Sequence, residues 1–182
     1  MKIWINIPWS QTKQIAEAYN SFMELLPDND WAVFCDGDMM FSTPYFGRQI
    51  YDIIAQYPEC RLFGAVTNRL WTNQQTPEGV DPANNDLYYH REIGAKLFNE
   101  HYAEVVDISD WNQNKALSGV CMIIKKELWK KVGGFRGQGI LGIDNHFFRD
   151  CQKIKEKILL CQGLYVIHNY RNGIKEDYKH LL

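Results

Sequence analysis

The chain has 182 residues and a mass of 21.4 kDa, enough for one domain (1–182) that buries a core of its own. Hydrophobic residues make up 46%, charged residues 23% and aromatic residues 14%, which excludes a disordered, fibrous or disulfide-stapled chain. The formal net charge is −2 with no long block of either sign, so the electrostatic footprint of a duplex-binding protein is missing and no nucleic-acid polymer is expected as a partner.

Ile3 to Pro8 reads as a short strand. Ser10 or Thr12 then offers an N-cap to a helix whose apolar positions Ile15, Tyr19, Phe22 and Leu26 recur at helical spacing, closed by Pro27. After the turn Asp28-Asn29-Asp30, the apolar run Trp31 to Cys35 has strand length and ends abruptly in Asp36-Gly37-Asp38. A second helix carries Phe46, Ile50, Ile53 and Tyr57 on one face, with Ser42 or Thr43 as cap, Pro44 in its first turn and Pro58 at its end. Leu62 to Thr67 is the next strand. Residues 71–87 turn polar and breaker-rich without any period, which predicts a mobile surface loop.

A helix over Tyr88 to His101 follows, then a strand near Glu104 to Ile108, a second polar loop at Ser109 to Lys115, and a buried strand over Val120 to Ile124. Lys126 to Val132 reads as a short helix stopped by Gly133-Gly134. A glycine-punctuated stretch from Phe135 to Gly142 leads into a helix near Asp144, and Ile158 to Cys161 and Leu164 to Ile167 read as two closing strands. The alternation predicts an α/β domain with a mostly parallel central sheet flanked by helices, and in such sheets ligands gather outside the strand C-termini.

The longest apolar runs, such as Val120 to Ile124, are far too short to cross a bilayer, and Met1 to Trp4 leads into a strand rather than a signal-peptide stretch. A soluble, cytoplasmic chain without a transmembrane segment is expected. Cys35, Cys60, Cys121, Cys151 and Cys161 are odd in number, form no C-x-x-C pair, and mostly sit in apolar runs, the pattern of reduced, buried thiols.

Asp36-Gly37-Asp38 is the sharpest feature. Two carboxylates flanking one glycine at the end of an apolar strand can both reach a hard divalent cation such as Mn²⁺ or Mg²⁺, ions that share such oxygen ligands with phosphates. The plainer reading is a strand-ending turn in which Gly37 supplies a positive φ. His168 closes the last apolar strand and is a good third ligand in company, or else an ordinary strand-end histidine. Asp144, opening a helix after a glycine-rich loop, is an N-cap or a general base.

Other features carry less. His146 does not share a helix face with Asp144. Gly137, Gly139 and Gly142 match the spacing G-x-G-x-x-G in the wrong context, with no strand before them. Among the tryptophans, Trp9, Trp71 and Trp111 fall in or beside loops, where an exposed ring can stack on a base or sugar. Lys125, Lys126, Lys130 and Lys131 read as a solvated basic face.

Taken in order, these segments resemble the GT-A-fold glycosyltransferases, in particular short family 2-like members. The resemblance rests on the strand Ala32 to Cys35 running into Asp36-Gly37-Asp38, on Leu117 to Ile124 followed by Trp129 to Phe135, and on Gly139 to Arg149 with Tyr165 to His168 after it. It implies a Rossmann-like fold and an enzyme that moves a sugar from a nucleotide-diphosphate sugar, UDP-sugar first among them, to a glycan or other hydroxyl acceptor. It further implies that Asp38 and His168 hold Mn²⁺ or Mg²⁺, that Asp36 contacts the ion or the ribose with Gly37 beside it, and that Ser118 and Gly119 line the sugar pocket. Asp144 would be the base of an inverting transfer. The family's second strand, whose acidic end holds the nucleoside, has no counterpart before Asp36, so base recognition falls to Pro8, Trp9 and Ser10.

Two other readings stay open on the same residues. One is a catalytically silent domain that binds a nucleotide sugar or glycan. The other is a phosphatase of haloacid-dehalogenase type with Asp36 as nucleophile, for which Met40 departs from the Thr or Val expected two residues after the second aspartate.

Overall fold

The computed structural model describes residues 1–70, 73–112 and 114–169. Strands are β1 (Ile3–Asn6), β2 (Trp31–Cys35), β3 (Met39–Phe41), β4 (Leu62–Thr67), β5 (Val105–Asp107), β6 (Cys121–Lys125) and β7 (Ile158–His168). Helices are α1 (Ile15–Leu25), α2 (Phe46–Gln56), α3 (Leu87–His101), α4 (Lys126–Val132) and α5 (Ile143–Lys153), with one 3-10 turn at Asn73–Gln75.

Among the described residues the strands form one sheet in the order β1-β2-β6-β4-β7-β3, with β5 also paired to β7. The α/β class holds, but the sheet is mixed rather than mostly parallel. Only β1–β2 and β4–β7 pair in parallel, while β6 runs antiparallel between β2 and β4, and β3 and β5 run antiparallel along the outer edge of β7. A short apolar run carries no mark of its direction, so the sequence pattern could not separate these cases. β1, β2, β4 and β7 nonetheless share one direction, and their C-terminal ends converge on one side of the molecule.

Alternation of side chains sends Ala32, Phe34, Leu62, Met122, Ile124 and Leu160 to one face, packed beneath α1, α4 and α5 with α3 beside them. Trp31, Val33, Phe63, Cys121, Ile123 and Leu159 point to the other face, covered by Ile50, Ile53 and Ile54 of α2. Each Val, Leu, Ile, Phe or Met among them contributes roughly 1.5–3 kcal/mol by leaving water. Tyr19 and Phe34 meet with centroids 4.5 Å apart, and Phe135 stacks on Phe147 at 4.3 Å, so aromatic contacts fix α1 and α5 against the sheet. All five cysteines are free and buried.

Several local expectations change. The two closing strands are one, β7, whose register against β4 shifts between Ala65 and Val66. Gln162-Gly163 looks like a break but is a bulge: a Cβ on Gly163 would stand 2.4 Å from the carbonyl oxygen of His101. Ser10 does not cap α1; its Oγ accepts the Gln14 N–H at 2.9 Å in the turn before it. Ser42 does not cap α2 either, since its Oγ donates to the Tyr165 carbonyl at 2.8 Å. The N-cap of α5 is Gly142 at φ 78°, a left-handed conformation suited to glycine, so Asp144 falls inside the first turn.

The lysine cluster is a solvated face only in part, with Lys130 and Lys131 exposed. Lys126 is buried, its Nζ donating to the carbonyls of Glu24 and Leu26 at the C-terminal end of α1, where the helix leaves acceptors unfilled. Lys125, Lys130 and Lys131 pair with Glu127, Asp28 and Glu156.

Candidate metal centre

Asp36 leaves the end of β2, a strand buried along its whole length, and its N–H donates to the Val120 carbonyl just before β6 at 3.1 Å. The turn closes with the Met39 N–H on the Asp36 carbonyl, and β3 then pairs Met39 with His168. This register brings the end of β7 beside the turn, and the Asn169 N–H holds it there by donating to the Asp38 carbonyl at 2.9 Å. Asp36, Asp38 and His168 each offer a ligand atom within 4.8 Å of the others. His168 Nε2 lies 3.2 Å from Asp38 Oδ1 and 3.8 Å from Asp36 Oδ2.

The histidine's other nitrogen decides what this contact means. Nδ1 stands 2.9 Å from the Arg69 carbonyl, which can only accept, so Nδ1 carries a proton and a neutral ring presents a bare Nε2. A lone pair facing two carboxylates is repulsive unless a proton or a cation lies between them. With the proton, burial works against the charge, yet the hydrogen bond to Asp38, the Arg69 carbonyl and both carboxylates raise the His168 pKa. With a divalent ion, the same three atoms are a fitting donor set, since imidazole and carboxylate oxygens suit such ions.

The carboxylates differ. The hydrogen bond from His168 lowers the Asp38 pKa against the effect of burial. Asp36 keeps 41% of its side chain exposed but is crowded, and desolvation together with Asp38 and Asp144 outweighs His168 to raise its pKa to about 6. Gly37 is exposed and sits in the strand-ending turn, but without the positive φ expected of it there. A Cβ there would sit 3.7 Å from Ile7 Cγ2, which sets the end of β1 against the turn.

Asp144 faces the same region from α5. Its Oδ2 accepts the Gly119 N–H at 2.7 Å and its Oδ1 accepts the Asn145 N–H at 2.8 Å. Desolvation nevertheless raises its pKa above the ordinary carboxylate range. Ser118 is held by its N–H on Gln75 Oε1 at 2.7 Å, and the buried Gln75 also donates to the Ala65 carbonyl at 2.9 Å. Pro8 is half-buried and Trp9 is 75% exposed beyond the end of β1, while Ser10 has its hydroxyl engaged in the local turn. Trp111 is half-buried against Phe148, and Trp71 lies outside the described residues. The predicted loop at 71–87 is described from residue 73; Arg69 donates to the Pro82 and Asn84 carbonyls there.

No family model matches this chain, and no curated protein does.

Sequence reasoning misses several residues around the centre. Tyr19 reads as one apolar position of α1, but its hydroxyl stands 3.5 Å from where a Gly119 Cβ would be, and burial with the charges of Asp36 and Asp144 pushes its pKa far up. Asn68, just past β4, accepts the His168 N–H at 2.7 Å and the Thr67 hydroxyl at 3.3 Å. Behind it His90 is buried with Nε2 2.8 Å from the Asn84 carbonyl and Nδ1 2.9 Å from the Tyr165 hydroxyl. These distances assign Nε2–H to the carbonyl and make Nδ1 the acceptor of the tyrosine proton. The one signal for them is position, since Asn68 follows a strand that ends on the same side as Asp36. Among the described residues, no helix is long and apolar enough to cross a membrane.

Proposed function

We propose that this chain is a metal-dependent glycosyltransferase that takes a nucleotide-diphosphate sugar as donor, UDP-sugar first among them, and an acceptor hydroxyl as nucleophile. The observation that carries the reading is the convergence of Asp36, Asp38 and His168 at the C-terminal ends of β2 and β7, with Asp144 near enough to raise the Asp36 pKa. Their order and spacing in the chain add the resemblance to the GT-A-fold enzymes.

Asp36, Asp38 and His168 would hold Mn²⁺ or Mg²⁺, whose contribution when bound is to neutralise charge on the departing diphosphate. Asp144 does the proton work. Its raised pKa brings its basicity nearer to neutral pH than that of a free carboxylate, and the two backbone N–H donors fix its plane. The acceptor O–H bond breaks toward Asp144 as its oxygen attacks the anomeric carbon, and the bond to the diphosphate oxygen breaks with its electron pair. The sugar is inverted. Ser118 and Gly119 would meet the sugar, and Pro8, Trp9 and Ser10 the base, with the exposed Trp9 ring as the stacking surface.

The test is a thermal-shift panel of UDP, GDP, dTDP and CMP with their common sugar conjugates, each with Mn²⁺ and with chelator. The proposal expects one nucleotide class to raise the midpoint only with metal. It expects slow donor hydrolysis in the same mixture, which a silent binding domain would not show. No shift with any nucleotide would contradict it.

A further inference from the structure

Away from the carboxylate cluster, the segment Ser42–Tyr45 and helix α3 enclose an open groove of about 590 Å³. It begins at Ser42, so the length of β3 separates it from Asp38, about 13 Å at the usual strand rise. On α3 it is lined by Tyr88, Arg91, Glu92, Ala95, Phe98 and Asn99, a single stripe at helical spacing. We propose that this groove is a second binding site, for a neutral oligosaccharide.

The aromatic surface comes first. Tyr88 is 75% exposed and Tyr45 65% exposed, and Tyr45 stands 6.1 Å from Phe98 between ring centroids. Aromatic faces displayed along a groove suit the C–H faces of sugar rings, which are apolar on one side while their hydroxyls point outward. The polar set comes second. Arg91, Glu92 and Asn99 are exposed and offer donors and acceptors of the planar kind that hydroxyl pairs engage. Ala95 between them keeps the floor low.

Charge selects against the other ligand classes. Arg91 and Glu92 carry opposite charges, and among the described residues no second cation lines the groove, so it has no net positive charge to draw a phosphate or an acidic polymer. The stripe runs from Tyr88 to Asn99, about 16 Å along the helix axis, a length that suits a chain of sugars better than one ring. The site owes nothing to the metal-dependent reading and would stand if that reading fell.

The test is amide NMR of the full chain in excess chelator, titrated with maltohexaose, cellohexaose, mannohexaose and chitohexaose. Saturable shifts confined to residues 42–45 and 88–99 are expected with at least one of them. Tyr88→Ala and Tyr45→Ala should each weaken that binding about tenfold, the value of one lost ring contact. Both side chains are exposed, so an unchanged melting midpoint will show that the variants fold. No shift with any of the four sugars, or shifts that persist unweakened in both variants, would overturn the proposal.

Discussion

The two ends of the sheet are both rich in charge, and they treat it in opposite ways. At the N-terminal ends of β1, β2, β4 and β7 the buried charged groups are each partnered: Asp30 accepts two neutral donors, the Trp4 indole N–H at 3.0 Å and the Lys2 backbone N–H at 2.8 Å. Glu156 is held by Arg61 at 2.9 Å and Lys131 at 3.1 Å, and Lys126 fills the carbonyls that α1 leaves open. At the C-terminal ends, Asp36 and Asp38 gather around His168 with Asp144 close to Asp36; burial with the neighbouring carboxylates raises the Asp36 pKa, and burial raises that of Asp144. A partnered buried charge is costly to strip of its partner, whereas carboxylates kept together without a Lys or Arg leave a place for a cation.

The contrast is broken most severely at Asp144. Asp144→Asn keeps the shape and removes the basicity, so transfer should fall by about 10²–10⁴ while metal-dependent donor affinity is unchanged, as measured by single-turnover kinetics beside titration calorimetry. Equal loss of both would make Asp144 a structural residue. Next in size, Glu156→Gln at the partnered end should cost about 2 kcal/mol in denaturant unfolding, because a buried charge-assisted pair is lost. Asp36→Asn should move stability the other way in metal-free protein, raising the melting midpoint slightly by relieving carboxylate crowding. A fall in both variants would erase the difference between the two ends.

The smallest effect is in the pH profile. The Asp36 pKa is raised on folding from an ordinary value near 4 to about 6, so its stabilising influence is whole below about pH 4 and is lost as pH rises through about 6. Metal-free protein should therefore lose a little stability across that window, and Asp36→Asn should lack that part. Metal binding runs in the opposite sense, since the ion competes with the proton, and Mn²⁺ affinity should fall as pH is lowered through about 6.

Much of this centre is legible in the amino-acid sequence. A buried strand ending in two aspartates and a late strand ending in histidine mark one side of an α/β sheet, and β3 then joins them by pairing Met39 with His168. Strand direction is not legible, because the apolar run of β6 reads alike both ways, and neither is β7 as a single strand, because its bulge at Gly163 looks like a turn. The supports are hidden for another reason. Tyr19, Asn68, Gln75, His90 and Lys126 act through partners far away in the chain, and a residue type alone does not say whether it meets water or a buried carbonyl. Lys126 shows this most plainly, since four lysines in seven residues look like surface until α1 ends against one of them.

The most direct measurement is a Mn²⁺ titration followed by the electron paramagnetic resonance of the free ion, on wild type, Asp38→Ala and Glu156→Gln at about pH 7.5, above the Asp36 pKa. One ion per chain, lost in Asp38→Ala and kept in Glu156→Gln, is the predicted result. Binding that survives Asp38→Ala, or no binding in the wild type, would contradict the assignment of the carboxylate cluster as a metal centre.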